Sequence, residues 1–172
     1  MLKNRNRMQV WQGDITTFTG DAIVNAANNA LGDGSGVNGV IQRAAGPQLL
    51  AFCRRLHGCE TGQAKLTPGF YLPTRAVIHT VGPVWEDGYK KEAELLASCY
   101  RSVMKIAADE GFESIAIPAI SCGVYGYPIE EAVVIAVDTV DHALDTMPLM
   151  QKVVFCCFDD DMANLYKKIL NS

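Results

Sequence analysis

Short apolar runs alternate with longer helical patterns along nearly the whole chain, and this alternation restricts the fold more than any other feature. Several runs are continuously apolar, which is typical of strands covered on both faces. The predicted strands are residues 8–12, 22–26, 64–70, 76–81, 114–120 and 152–158. The predicted helices are residues 39–46, 47–56, 91–111, 129–144 and 162–170. This order predicts an α/β fold, a three-layer α/β/α sandwich around a largely parallel or mixed sheet.

The length of 172 residues predicts a single domain over 1–172, with residues 1–7 as a short solvated lead-in. No apolar run approaches the roughly 20 residues that a membrane span requires. A net charge of -4 argues against a broad nucleic-acid-binding surface. The six cysteines show no repeated spacing and no export signal precedes them, so we expect a reduced, cytoplasmic chain.

Cys53, His57 and Cys59 are the one combination of potential metal ligands close together in sequence. Three ligands on one short loop with no distant partner pair are a poor zinc signature. We therefore expect no metal and no other cofactor. His79 lies inside an apolar run and is predicted to be a buried structural residue.

Unusual residues follow three of the predicted strands, where ligands of α/β proteins usually bind. Asp14 follows the first strand and can either cap a turn or accept a hydrogen bond from a ligand amine. Asn25 and Asn28 end the second strand, and the glycine-rich segment 32–36 leads from there into a helix. Free backbone N–H groups at a helix N-terminus bind phosphate, so this loop predicts an anion site.

The fifth predicted strand leads into a second glycine-punctuated loop, residues 118–128. Ser121, Gly123 and Gly126 can present backbone N–H groups, and two such loops at one sheet edge suggest a diphosphate bound between them. Tyr125 and Tyr127 are candidate walls for a sugar. Cys122 is predicted to be structural, because no arginine follows it as a thiolate-dependent phosphatase would need.

These segments together resemble a known family. "GDIT", "AIVNAAN", "RAAGP", "CETGQAKLTPGFYLP", "VIHTVGPVW" and "IAIPAISCGVYGYP" are similar to the motifs of the macrodomain, specifically its MacroD-like bacterial branch. The similarity extends in order from about residue 8 to residue 170. It implies a three-layer α/β/α fold with a macrodomain-like mixed central sheet and a site for ADP-ribose.

The resemblance also implies roles for individual residues. Asp14 would hold the adenine amino group with Ile15 beside it, and Phe158 would pack on adenine. Asn28 would bind the distal ribose near the reacting carbon, and Tyr127 would form a wall of the same ribose pocket. The implied phosphate-binding residues are Gly36 and Val37 of the first loop and Ser121, Gly123, Val124, Tyr125 and Gly126 of the second.

Members of this branch are commonly hydrolases that release ADP-ribose from protein carboxylates or deacetylate O-acetyl-ADP-ribose by attack of water. The family's water-activating aspartate is Asn38 here, and its histidine one turn later is Gln42. An amide has no useful basicity near neutral pH, so Asn38 can orient a water but cannot deprotonate it. Asn28 and Asn38 are therefore the candidate catalytic residues of a slow hydrolase.

Three roles remain open at this stage: an ADP-ribosyl-ester hydrolase, a non-catalytic reader of ADP-ribose or ADP-ribosylated proteins, and a regulator of an RNA-processing enzyme. We expect a monomer that binds ADP-ribose or an ADP-ribosylated substrate, without membrane or nucleic-acid partners. Asn38 precedes Gly39, and Asn-Gly pairs are prone to deamidation. A deamidated fraction that regains an acid at position 38 is a further hypothesis.

Overall fold

The computed structural model describes all residues from 1 to 172 and contains six strands and five α-helices. The strands are β1 (Met8–Gln12), β2 (Ala22–Ala26), β3 (Ala64–Pro68), β4 (Ala76–Thr80), β5 (Ser114–Pro118) and β6 (Lys152–Cys157). The helices are α1 (Gly36–Ala45), α2 (Pro47–Arg54), α3 (Glu92–Asp109), α4 (Ile129–Leu144) and α5 (Asp160–Leu170). Short 3₁₀ turns cover Arg5–Arg7 and Ile15–Thr17. No helix is both long enough and apolar enough to cross a membrane.

All six strands form one sheet in the order β1-β6-β5-β2-β4-β3. Neighbouring strands are parallel except β3, which pairs antiparallel with β4. The sheet is therefore mixed, as predicted, with its one antiparallel pair at an edge. The parallel strands align their carboxyl ends, so the loops that follow β1, β2, β5 and β6 emerge at the same end of the sheet.

The sheet is covered on both faces because successive strand side chains point to opposite sides. In β6, Val153 and Phe155 pack in the larger apolar cluster, which includes residues of α3, α4 and α5. Val154 packs in the smaller cluster, which includes residues of α1 and α2. This arrangement confirms the predicted three layers and explains why the strands read as continuously apolar.

Element boundaries differ from the predicted ones where side chains or backbone angles end the regular structure. Helix α1 begins at Gly36 rather than at residue 39, with Gly36 in the left-handed region at φ 60°. Helix α5 begins at Asp160, since the Asp159 carboxylate accepts a hydrogen bond from the Met162 backbone N–H (2.9 Å). Polar caps of this kind fix helix ends more strongly than the apolar pattern does.

The expectation of a solvated lead-in over residues 1–7 is wrong for Asn4 and Arg7. The Asn4 backbone N–H donates to the Asp141 carboxylate (2.7 Å), which lies on α4. The Arg7 guanidinium donates to the carbonyl oxygen of Leu144, the last residue of that helix, and to those of Met147 and Met150 beyond it. A cation at a helix C-terminus is favourable, so the lead-in caps α4 instead of extending into solvent.

Candidate functional site

The candidate site lies where the neighbouring strands β2 and β5 separate and the chain leaves them toward opposite faces of the sheet. These strands are parallel neighbours, but they pair directly at only two positions, Ala22 with Ile115 and Ile23 with Ala116. The chain leaves β2 toward α1 on one face and leaves β5 toward α4 on the other. A crevice between strands whose connections go to opposite faces is the usual ligand position in α/β proteins.

The first loop enters α1 with its backbone donors free. Ser35 occupies the N-cap position but its side chain makes no capping hydrogen bond. The N–H groups of Gly36, Val37 and Asn38 have no acceptor in the protein. Because a helix N-terminus carries partial positive charge, these unpaired donors are suited to an anion, as the sequence predicts.

The second loop, residues 121–127, enters α4 in the same way. The N-cap of α4 is Pro128, which offers no side-chain acceptor. Inside the loop, the N–H of Gly126 donates to the Gly123 carbonyl and that of Tyr127 to the Ser121 carbonyl (both 3.0 Å). The N–H groups of residues 122–125 have no acceptor in the protein. Both loops predicted as phosphate-binding therefore present unpaired donors at one end of the sheet.

Neither loop contains a lysine or an arginine, and the first contains Asp33, whose carboxylate accepts the Gly34 N–H (2.9 Å). Any attraction for phosphate must come from oriented peptide dipoles rather than from basic side chains. Such donors do not appear in the net charge, so an acidic protein can still bind a diphosphate.

Asn28, a predicted catalytic residue, lies half-buried at the base of the first loop. Its side-chain oxygen accepts the Gly32 N–H (2.9 Å), and its amide nitrogen donates to the carbonyls of Gly32 (3.4 Å) and Asp33 (3.2 Å). Asn28 thus fixes the shape of the first loop. A loop held at its base has less freedom to lose when a ligand binds.

Asn38 differs from the sequence-based expectation of a residue that orients water. It is only 5% exposed, on the first turn of α1. Its oxygen accepts from the Asn25 amide nitrogen (2.9 Å), and its nitrogen donates to the Gly32 carbonyl (3.0 Å). Both polar ends of Asn38 are therefore engaged inside the protein, and its primary role is to clamp the glycine loop against β2.

The same hydrogen bonds oppose the hypothesis of deamidation at Asn38. Deamidation requires the Gly39 nitrogen to attack the Asn38 side-chain carbon, which needs a flexible backbone and a mobile amide. Here Asn38 and Gly39 lie in α1, and both are buried. We therefore expect residue 38 to retain its amide on storage, with no mass gain in the peptide that contains it.

A buried polar chain continues from Asn38 through Asn25 on β2 to His79 on β4, and these two strand residues are register partners. The Asn25 amide nitrogen donates to Nδ1 of His79 (3.1 Å), so the imidazole carries its proton on Nε2. Nε2 lies 2.9 Å from the Thr67 hydroxyl, which donates onward to the Pro68 carbonyl (3.1 Å). Burial lowers the pKa of His79 to about 4, which confirms it as a buried structural residue.

His79 should make the protein less stable in mild acid. Its pKa is about 4 when folded against 6.5 when unfolded, so the stabilisation is complete above pH 6.5 and is lost as the pH falls toward 4. At pH 4.5 the loss is about 2.5 kcal/mol. Urea unfolding at pH 7 and pH 4.5 should show that His79→Gln removes this part of the pH dependence.

His142→Gln is the matched control, since His142 is exposed on α4. It should leave the pH dependence of unfolding as in the wild type. An unchanged pH dependence in His79→Gln would contradict the assignment of a buried neutral imidazole.

Gln42, which stands where the family has a histidine, lies one turn beyond Asn38 and is 8% exposed. Its side-chain oxygen has no hydrogen-bond partner, as is also true of the Asn25 oxygen. Burial raises the pKa of the Cys53 thiol, and a hydrogen bond with the Gln42 side chain acts in the opposite direction. Gln42 therefore faces α2 and the smaller apolar cluster rather than the crevice.

The predicted adenine-binding residues lie together at the ends of β1 and β6, which are parallel neighbours. The Asp14 carboxylate accepts from the Thr16 N–H (3.0 Å) and hydroxyl (2.7 Å) through one oxygen, so it caps a turn and keeps its other oxygen free. The Phe158 ring is 94% exposed. Ile15, expected beside Asp14 at the adenine, has its side chain buried in the smaller apolar cluster, so its backbone is the part that a ligand can reach.

The two tyrosines of the second loop have different surroundings. Tyr127 is 3% exposed and its ring centroid lies 4.8 Å from that of Trp85, so its ring packs inside the protein, and its role as a wall of the sugar pocket stays a prediction. Tyr125 keeps part of its surface accessible, and Val124 is 90% exposed. The accessible aromatic ring of this loop is therefore Tyr125.

Sequence reasoning missed two supports of the site, Asn25 as the link between Asn38 and His79, and Trp85 beneath the second loop. In the sequence, Asn25 is one of two amides at a strand exit, and Trp85 is part of the segment "VIHTVGPVW". A polar residue within an otherwise apolar strand is the signal for the first, because such a residue needs a buried partner.

Fold and site together define a three-layer α/β/α protein with two uncapped helix N-termini at one end of a mixed sheet. The model of the Macro domain family matches residues 24–136, so the chain belongs to the macrodomain family. A Macro domain-containing protein of Mesorhizobium japonicum is 54% identical over 166 residues, which are 96% of this chain and 94% of that protein.

The names of two further relatives state an activity or a bound ligand. The O-acetyl-ADP-ribose deacetylase of Salmonella gallinarum is 50% identical over 169 residues, covering 96% of this chain and 94% of that protein. The structure of a Trypanosoma brucei macrodomain in complex with ADP-ribose superposes with a TM-score of 0.90 at 39% identity. That likeness covers 96% of this chain and 71% of the other.

Proposed function

We propose that this protein binds ADP-ribose in the crevice between the two loops and slowly hydrolyses ester-linked ADP-ribose. The substrates would be O-acetyl-ADP-ribose or proteins carrying mono-ADP-ribose on a carboxylate. The observation that carries the proposal is the pair of uncapped helix N-termini where β2 and β5 separate. Relatives named as a deacetylase of O-acetyl-ADP-ribose and as a macrodomain with ADP-ribose support it.

In the bound state the diphosphate would lie between the N–H groups of residues 36–38 and those of residues 122–125. Adenine would lie toward the other end, with its amino group on the free oxygen of Asp14 and its ring against Phe158. The distal ribose would then reach Asn28 at the base of the first loop. Oriented backbone dipoles are effective here because they need no rearrangement when the ligand arrives.

Hydrolysis adds water to the ester carbonyl, and breaking the ester bond returns the ribose hydroxyl and a free carboxylic acid. Asn28 would orient the ribose beside the water, and the ligand's own phosphate oxygens would accept a hydrogen bond from it. Asn38 cannot take the water's proton, because an amide is not basic and both its polar ends are already engaged. We therefore expect binding to be retained and turnover to be slow.

A second candidate is a reader that binds ADP-ribose without turning it over. The inward orientation of Asn38 favours this role, since no carboxylate of the first turn of α1 faces the crevice. Regulation of an RNA-processing enzyme is a third role. The acidic net charge disfavours direct binding of RNA by this protein. A cytoplasmic monomer is the state we propose for all three.

Calorimetric titration with ADP-ribose tests the shared part of these proposals. Saturating heat at one ligand per chain at sub-millimolar concentration is expected. ADP should bind more weakly, because it lacks the distal ribose that Asn28 would contact. An absence of heat with sub-millimolar ADP-ribose would overturn the assignment of the site.

A further inference from the structure

Glu92 is a buried carboxylate that the proposed reaction does not use. It is the first residue of α3 and is 1% exposed. Its two oxygens accept three backbone N–H groups, from Glu86 (2.8 Å), Gly88 (2.9 Å) and Lys90 (2.5 Å). A carboxylate with this many N–H donors is strongly held as an anion.

These bonds organise the turn of residues 86–90, which precedes α3. Asp87, Gly88 and Lys91 all adopt left-handed backbone angles, at φ 59°, 84° and 58°. The only backbone hydrogen bond within the turn joins the Tyr89 N–H to the Glu86 carbonyl, at 3.4 Å. Without the carboxylate, little else would hold this turn, with two left-handed residues and a left-handed Lys91 directly after it, in this shape.

The turn continues directly from a segment, residues 82–85, that supports the second loop. The Trp85 N–H donates to the Tyr125 carbonyl (2.8 Å), and the Trp85 ring packs on Tyr127. The Pro83 carbonyl accepts the Ser121 hydroxyl (2.8 Å). A Cβ atom added to Gly82 would clash with that hydroxyl, so the Ser121 side chain packs directly against the backbone of this segment.

The second loop depends on this support because it has few bonds of its own. Two backbone bonds close it internally, and the N–H groups of residues 122–125 are unpaired donors of the site. Ser121 is held in a left-handed conformation at φ 65°, which a non-glycine residue adopts only when its surroundings impose it. Its hydroxyl bond to Pro83 and the bond from the Tyr127 N–H to its carbonyl both hold Ser121 in place.

We propose that Glu92 is a positioning residue for the second phosphate loop. Its carboxylate fixes the turn of residues 86–90, the turn fixes Trp85, and Trp85 fixes the Tyr125 peptide and the donors beside it. The inference rests on the proposed binding of a diphosphate, but its structural part concerns the ligand-free protein.

Glu92→Gln tests the proposal. Glutamine keeps the size of the side chain but turns an NH₂ group toward one of the N–H donors, which breaks at least one of the three bonds. We expect the protein to remain folded by circular dichroism and to bind ADP-ribose about tenfold more weakly, which is the effect of about 1.4 kcal/mol. Glu94→Gln is the matched control, because it removes the same charge from the same helix turn at an exposed position.

Hydrogen exchange of the ligand-free proteins separates the two parts of the inference. Faster exchange at residues 86–90 and at the Tyr127 and Gly126 amides of Glu92→Gln is expected, with Glu94→Gln like the wild type. Faster exchange at residues 86–90 alone, or equal ADP-ribose affinity in Glu92→Gln and wild type, would overturn the positioning role. A wild type that binds no ADP-ribose would instead contradict the proposed function.

Discussion

Asn38→Asp should raise the turnover of O-acetyl-ADP-ribose about 100-fold, the lower part of the range for adding a general base. The new carboxylate can still accept from Asn25, but it cannot donate to the Gly32 carbonyl as Asn38 does at 3.0 Å. Repulsion between the carboxylate and that carbonyl oxygen would turn the acid toward the crevice. There it can accept a proton from the attacking water.

The same substitution should weaken ADP-ribose binding about 30-fold. It removes the clamp on the glycine loop and places a negative charge near the diphosphate, and each effect alone amounts to about 1 kcal/mol. The combination of a higher kcat and a weaker affinity is the diagnostic result. It distinguishes a restored base from a general improvement of the site.

Asn38→Ala is the control for this prediction. It removes the clamp without adding a base, so it should weaken binding and leave turnover at or below the wild-type rate. Equal turnover in wild type and Asn38→Asp would contradict the view that the natural residue limits the reaction.

Gly39→Ala should lower ADP-ribose affinity about 10- to 100-fold while the protein remains folded. A Cβ atom at Gly39 would lie 2.5 Å from the Gly34 carbonyl oxygen and 3.1 Å from a guanidinium nitrogen of Arg43. The arginine side chain can move away, but the carbonyl belongs to the backbone of the first loop. The methyl group would therefore push the loop and the N–H groups that follow it out of position.

Ala44→Ser provides the comparison on the exposed face of the same helix, where one added atom contacts nothing rigid. Calorimetry with ADP-ribose and thermal unfolding of both variants would measure affinity and stability separately. Unchanged affinity in Gly39→Ala would show that the loop shape does not control binding. Unchanged affinity is the expected result for Ala44→Ser.

The sheet and the helices were predictable because their apolar periodicities are strong and because each strand is covered on both sides. The six strand candidates all contain an observed strand, and the sheet is mixed as expected. Boundaries were less predictable, since they depend on caps such as Asp159 and on left-handed residues such as Gly36. A periodic pattern does not contain that information.

The site was predictable at the level of loops but not of side-chain direction. The sequence identifies Asn38 as an amide in place of an acid, yet its partners are Asn25 and Gly32, which lie 13 and 6 residues away. Tyr127 looks like a sugar-binding ring next to Tyr125, but its contact with Trp85 buries it. Such contacts follow from the packing of separate elements, which one sequence does not specify residue by residue.

Single-turnover hydrolysis of O-acetyl-ADP-ribose by excess wild-type protein tests the proposed activity most directly. We expect acetate release that is slow but above the protein-free rate, that is suppressed by added ADP-ribose, and that is reduced in Gly39→Ala. If the wild-type protein binds ADP-ribose by calorimetry yet releases acetate no faster than buffer alone, the hydrolase role is contradicted. The remaining role is then that of a protein that binds ADP-ribose without hydrolysing it.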